Sequence, residues 1–191
     1  MSTKEPVREA SLGELSGLTL RANVAYAARC ARRMQPLVEL ASDDPHREVK
    51  LGALETGIRV AEEYVRGTPL QLEQVIHAEK WASRLADEQQ MESNYAAYAA
   101  SHAARGTVYA LRSGERADQD TFMEIVAAAF GASRVIMSNL PHPGPQLASA
   151  VLRADLVKLQ EMRLGRAKEI GQTFDPSENG PLGPVWPNGM P

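Results

Sequence analysis

FMEIVAAAFGASRVIMSNL, residues 122–140, carries its large side chains at Phe122, Ile125, Val126, Ala129, Phe130, Ile136, Met137 and Leu140. Steps of three and four line one face of an α-helix. Asp118 or Asp120 is placed to cap its start. A half-buried strand would need alternation at every second residue, and no part of the chain sustains it.

The same periodicity predicts five more helices outward from this one. An alanine-dominated helix over about 92–112 precedes it and ends at Ser113-Gly114. Before that, a helix over 69–90 turns Leu72, Val75, Ile76, Ala82, Leu85 and Ala86 inward and keeps a charged outer face. The helix over 45–66 is apolar on two sides, with Val49, Ala53, Val60 and Tyr64 on one and Leu51, Leu54, Ile58 and Val65 on the other. Such a helix is expected at the centre of a bundle. Gly67 reads as its C-cap. The turn Ser42-Asp43-Asp44-Pro45 is a stop-and-restart signal, an acidic cap followed by proline at the first helical position. The first long helix is predicted from Thr19 to Ala41, with Pro36 kinking or splitting it near Met34. Ser11 and Glu14 have capping-box spacing, and residues 1–10 read as loose. Downstream, Pro141, Pro143 and Pro145 break the chain, and a last helix is predicted to about Gly171, with Val151, Leu152, Leu156, Leu159 and Met162 inward.

The ending differs from everything before it. FDPSENGPLGPVWPNGMP, residues 174–191, is interrupted by proline and glycine and forbids regular helix. Yet Phe174, Leu182, Val185 and Trp186 are apolar anchors, which predicts a strap lying on the helical body instead of a solvated tail. The expected architecture is all-α: a single bundle of about six antiparallel helices over 1–172, with a Pro/Gly-rich C-terminal strap over 173–191 packed on it.

Composition sets the class. The 191 residues suffice for one domain with a sizeable core. The net charge of −3 gives no concentrated basic face for a nucleic-acid backbone, so no nucleic-acid partner is expected. The lone Cys30, among alanines, reads as a small buried hydrophobe. The polar start MSTKEPVREAS has no apolar leader, and the apolar run from Ile125 to Ala132 falls well short of the roughly 20 residues that span a bilayer. No membrane association and a cytoplasmic location are expected.

Chemistry-bearing patterns are sparse. A carboxylate-bridged metal site in a bundle needs paired Glu-x-x-His motifs, and no histidine has a glutamate three positions before it. Glu73 and His77 form a single pair. HExxH, CxxC, phosphate-loop and dinucleotide fingerprints are absent. No metal, no cofactor and no enzymatic centre are expected. Two clusters remain. Tyr95, Tyr98, His102, Arg105 and Tyr109 share one face of the alanine-rich helix. They either supply bulk opposite alanines or form a recognition face, since tyrosine and arginine dominate binding energy at interfaces. Arg29, Arg32 and Arg33 crowd the first helix and call for acids such as Glu62, Glu63 or Asp155. Asp155 lies on an apolar stripe, where an unpaired carboxylate is costly. A buried arginine–aspartate tie between this cluster and Asp155, joining the first and last helices, is the first expectation, and an anion site among these residues the second.

The stretch Ala28-Arg29-Cys30-Ala31-Arg32-Arg33-Met34-Gln35-Pro36-Leu37 is followed by Asp43-Asp44-Pro45-His46-Arg47 and by a helix ending Tyr64-Val65-Arg66-Gly67. This pattern resembles the helical immunity proteins found beside bacterial polymorphic toxins, in which a CAxRxxPL helix precedes an acidic turn with proline and arginine. The resemblance covers the first 67 residues; the second-helix tryptophan of that family is absent here, where Tyr64 lies nearby, and the strap is not part of the pattern. It implies a non-catalytic protein that binds and neutralises a cognate toxin in the cytoplasm. Two other functions fit the residues: a scaffolding bundle that self-associates through its strap, and an enzyme with an unrecognised pocket around Arg29 and Asp155. The sequence assigns no oligomeric state.

Overall fold

The structure, a computed structural model, describes residues 10–40, 47–87, 91–114, 118–139 and 144–189. Seven helices and no strand lie among the described residues, so the protein is all-α. They are α1 (Leu12–Ser16), α2 (Leu20–Leu40), α3 (Arg47–Arg66), α4 (Leu72–Asp87), α5 (Met91–Ser113), α6 (Gln119–Asn139) and α7 (Gly144–Glu161). The turn from Ser42 to Pro45, together with Pro141, Pro143 and Leu140, lies outside the described residues. So do the side chains of Leu85, Ala86, Tyr95, Ile136 and Met137 within their helices.

The helix beyond the six expected is the short α1. Its start is a reciprocal capping box: Ser11 Oγ accepts from the Glu14 amide at 3.3 Å and Glu14 Oε2 accepts from the Ser11 amide at 2.9 Å. That amide, together with the Arg153 guanidinium, holds the Glu14 carboxyl at about 2. Leu15 is fully buried, which anchors the turn to the core.

α2 is continuous through Pro36, which corrects the expected split. Proline removes one backbone donor, which leaves the Arg32 carbonyl without its usual partner. The enclosure of the helix upstream of that point offsets the loss: Leu20, Val24, Tyr26, Cys30 and Met34 are all buried. Burial also pushes the Cys30 thiol up to about 12.

α2 packs against α3, α5, α6 and α7, and α5 packs against α2, α3, α4 and α6. These two take the centre that the two-sided pattern of residues 45–66 predicted for α3. α3 instead leaves Val49, Gly52 and Arg59 exposed. Alanine explains the exchange. Ala22, Ala25, Ala27, Ala28 and Ala31 on α2, and Ala97, Ala99, Ala100, Ala103 and Ala104 on α5, are all buried. Small side chains let neighbouring axes close in from several directions. The larger contributions come from Phe122, Ile125, Leu54, Ile58, Leu156 and Leu159. Each is worth about 1.5–3 kcal/mol on full burial. A smaller cluster of Val60, Val75, Ala78, Ala104 and Val108 fills the space between α3, α4 and α5.

α7 ends at Glu161, ten residues before the expected Gly171. Positive φ values at Arg163 (47°), Gly165 (136°) and Lys168 (68°) turn the chain back toward α2. There the carbonyls of Glu169 and Ile170 accept from the amides of Leu20 and Arg21, both at 2.9 Å. These are two of the amide donors that the first turn of any helix leaves unpaired. Gly171, at φ 87°, presses so closely on Thr19 that a Cβ would overlap its hydroxyl. From there the chain continues without helix to residue 189.

Candidate functional site

Two polar constellations stand out, one sealed and one open. The sealed one begins with Arg29 and Arg33, one helical turn apart on α2 and only 2% and 1% exposed. Asp155 of α7 faces both. Arg29 grips it bidentately, Nε to Oδ2 at 3.1 Å and Nη2 to Oδ1 at 3.2 Å. Arg33 Nη2 donates to Oδ2 at 2.6 Å. One carboxylate cannot satisfy two guanidinium groups, and the C-terminal segment supplies further acceptors, leaving Arg33 Nη1 buried without one. Arg29 Nη1 donates to the Gly183 carbonyl at 2.8 Å and Nη2 to that of Pro184 at 3.0 Å. Arg33 Nε donates to the Val185 carbonyl at 3.1 Å. Lys158 Nζ on α7 donates to the Leu182 carbonyl at 2.7 Å. Four consecutive carbonyls are therefore held by three cations. The Trp186 ring lies 5.9 Å from the Arg33 guanidinium carbon, within cation–π range.

Side chains add to this grip. Leu182 and Val185 are buried, Phe174 and Trp186 half-buried, and all but Val185 join the main core. Asp175 pairs with Arg66 at 3.0 Å, and the Phe174 amide donates to the Val65 carbonyl at 3.3 Å. Arg32 belongs elsewhere. It turns to Glu55 and Glu62 of α3, and Gln35 shares the Glu55 carboxylate. Burial alone would raise the Glu55 carboxyl, but the hydrogen bonds from Arg32 and Gln35 carry it below its ordinary value. Glu63 faces Arg59 at 3.8 Å. A cleft of about 270 Å³ separates Arg32 and Glu62 from Ser177 and Glu178.

The open constellation is the outward face of α5. Tyr98 is 42% exposed. His102 is tucked toward α6, so close that a Cβ at Gly131 would lie 2.9 Å from its ring. Burial there, with the nearby Arg105 charge, lowers the imidazole below its ordinary value. Arg105 is exposed and reaches the Tyr109 hydroxyl at 3.4 Å, while Tyr109 is half-buried. The side chain of Tyr95 lies outside the described residues.

Arg105 and Tyr109 lean toward α4, where they border an open groove of about 460 Å³. Ile76 and Val108 give it an apolar floor, and Lys80 and Arg112 stand on its rim. The register comes from the helix pair itself, with the Ser83 and Ser101 hydroxyls 2.8 Å apart. Lys80 and Arg112 did not stand out in the sequence. Arg112 does continue the face of Arg105 at a spacing of seven, but Lys80 joins it only once α4 is laid alongside.

Among the described residues, no group of three or more histidine, cysteine, aspartate or glutamate side chains is placed to hold a metal ion. No described helix is long and apolar enough to cross a membrane. Comparison with family models, curated proteins and solved structures gave no match to this chain.

Proposed function

We propose that the protein is a non-catalytic, cytoplasmic helical module that binds another protein through the outer face of α5. In this reading the long helices act as one antiparallel bundle, and the strap over 173–191 clamps it into a rigid platform. The resemblance of residues 28–67 to helical immunity proteins gives the reading its particular form: the partner is a bacterial toxin, neutralised by occlusion of its surface.

One contrast carries the proposal. Arg29 and Arg33 of α2 are turned inward and Arg32 is tied to acids of α3, whereas Tyr98 is exposed and Arg105 and Tyr109 border an open groove. Rigid aromatic and arginine side chains on a preorganised surface are the groups that supply most binding energy at protein interfaces. Binding here would be steric and electrostatic, with no bond made or broken.

The test pairs Tyr98→Ala with Arg105→Ala. A partner captured on the immobilised native chain and titrated by calorimetry should lose affinity for the double variant by about a hundredfold. Thermal unfolding should stay within about 0.5 kcal/mol of the native chain, as expected for exposed positions. A large loss of stability with partner affinity untouched would overturn the proposal.

A further inference from the structure

The α4–α5 groove has a charge that the molecule as a whole does not. The chain carries a net charge of −3, yet this groove is bordered by Lys80, Arg105 and Arg112 against the single carboxylate of Glu79. Glu79 is already engaged, accepting from the Ser83 hydroxyl at 3.3 Å. Lys80 and Arg112 have no hydrogen-bond or ion-pair partner among the described residues. Arg105 donates a long bond to Tyr109, and the carboxylates of Glu79 and Glu124 attract it through space. Three cations therefore face solvent over an apolar floor, and two of them, Lys80 and Arg112, have no acid paired with them among the described residues.

We infer that this groove takes an acidic, amphipathic peptide segment of the partner protein. This rests on the protein-binding reading above and specifies what the partner must present. Carboxylates on the segment meet Lys80, Arg105 and Arg112, while an apolar anchor drops onto Ile76 and Val108. The groove runs between two helices and is open along its length, the setting in which an amphipathic helix lays down its apolar face. Its volume lies within the range of about 300–1,000 Å³ typical of ligand sites. The complementary charges also raise the association rate, by steering an acidic partner to a basic strip of an acidic molecule. A nucleic-acid backbone fits less well. It has no use for the apolar floor of Ile76 and Val108.

The test uses the full chain and three fluorescent probes. The first is an amphipathic helical peptide with leucines on one face and glutamates flanking them. The second replaces each glutamate by lysine, and the third is a single-stranded DNA oligonucleotide. Anisotropy should show the glutamate peptide binding more tightly than the other two and weakening as salt is added. Amide shifts should fall at Ile76, Val108 and Tyr109. The double reversal Lys80→Glu with Arg112→Glu should weaken the glutamate peptide by about tenfold or more and admit the lysine peptide. Both positions are exposed, so unfolding should move by no more than about 0.5 kcal/mol. Equal binding of the two peptides, absence of binding, or tighter binding of the oligonucleotide would each overturn the inference.

The captured partner separates this inference from the broader reading. A partner that loses affinity for Tyr98→Ala/Arg105→Ala but keeps it for Lys80→Glu/Arg112→Glu removes the acidic-segment inference and leaves the α5 module standing. A partner indifferent to both variants removes both.

Discussion

Arg29 and Arg105 sit on the two central helices, α2 and α5, and meet opposite fates. Arg29 is 2% exposed, with its donors spent on Asp155 and on the carbonyls of residues 183 and 184. Arg105 is exposed, with a long bond to Tyr109 and no carboxylate hydrogen-bonded to it among the described residues. The same side chain is structural in one place and available in the other. Only the surroundings differ: a lone acid and a returning ribbon cover the first, and an unfilled groove adjoins the second. A guanidinium is informative about function in proportion to the donors the fold leaves unspent.

The comparison breaks most visibly at Asp155. Asp155→Ala leaves two buried guanidinium groups without their carboxylate and should destabilise the fold by about 3–5 kcal/mol. Urea denaturation measures it directly. A change no larger than that of Glu55→Ala, whose partly exposed pair with Arg32 is worth about 1 kcal/mol or less, would show that the ribbon's carbonyls suffice without the acid.

The ribbon's own anchoring is the next largest effect. Leu182 is 1% exposed, and Leu182→Ala should cost about 2 kcal/mol or more in the same experiment. If stability stays put while Arg29 and Arg33 remain shielded from solvent, the carbonyl contacts alone hold the ribbon, and its apolar anchors are incidental.

The smallest effect belongs to the open face. The His102 imidazole is lowered in the fold by burial first and by Arg105 second, whereas in the unfolded chain it titrates near 6.5. Between those two values the unfolded chain binds more protons, so stability rises with pH there and is lost as pH falls from 6.5 through the folded value. Thermal unfolding followed downward from neutrality should show a shallow decline that His102→Gln flattens. The depressed carboxyls of Glu14, Glu55 and Asp175 start from ordinary values of 4.5 or 3.8, so their contributions lie at more acid pH. A decline that survives His102→Gln would assign it to another group.

Local pattern and long-range contact divide what could be read in advance. The stripe Phe122, Ile125, Val126 and Ala129 is readable because helical spacing and burial are the same fact, and all four side chains are buried. The end of α7 is not, because it depends on residues far away in the chain. Glu169 and Ile170 leave the helix to cap α2, and nothing near Glu161 advertises that partner beyond Gly165. The need for a cation beside Asp155 is readable, since a carboxylate on an apolar stripe demands one. Which of the three arginines supply it is not, nor is the row of carbonyls that joins them, because backbone oxygens are identical at every residue. The groove escaped for a third reason. Its cations come from two helices, and only the register of α4 on α5 brings Lys80 near Arg105 and Arg112. Centrality also misled. Two apolar faces pointed to α3, but the buried alanines allow α2 and α5 to be enclosed more completely.

The cations of α2 and α7 read the oxygens of residues 182–185, parts that every amino acid carries alike. Side chains constrain the row only in part: Leu182 and Val185 are fixed by burial and Gly183 by a φ of 71°, while Pro184 is exposed. Insertion or deletion of even one residue shifts every oxygen out of step with its donor at once. Across homologues the spacing of this stretch should therefore persist more strictly than its exposed letters, with the buried positions 182 and 185 staying apolar and position 183 staying glycine.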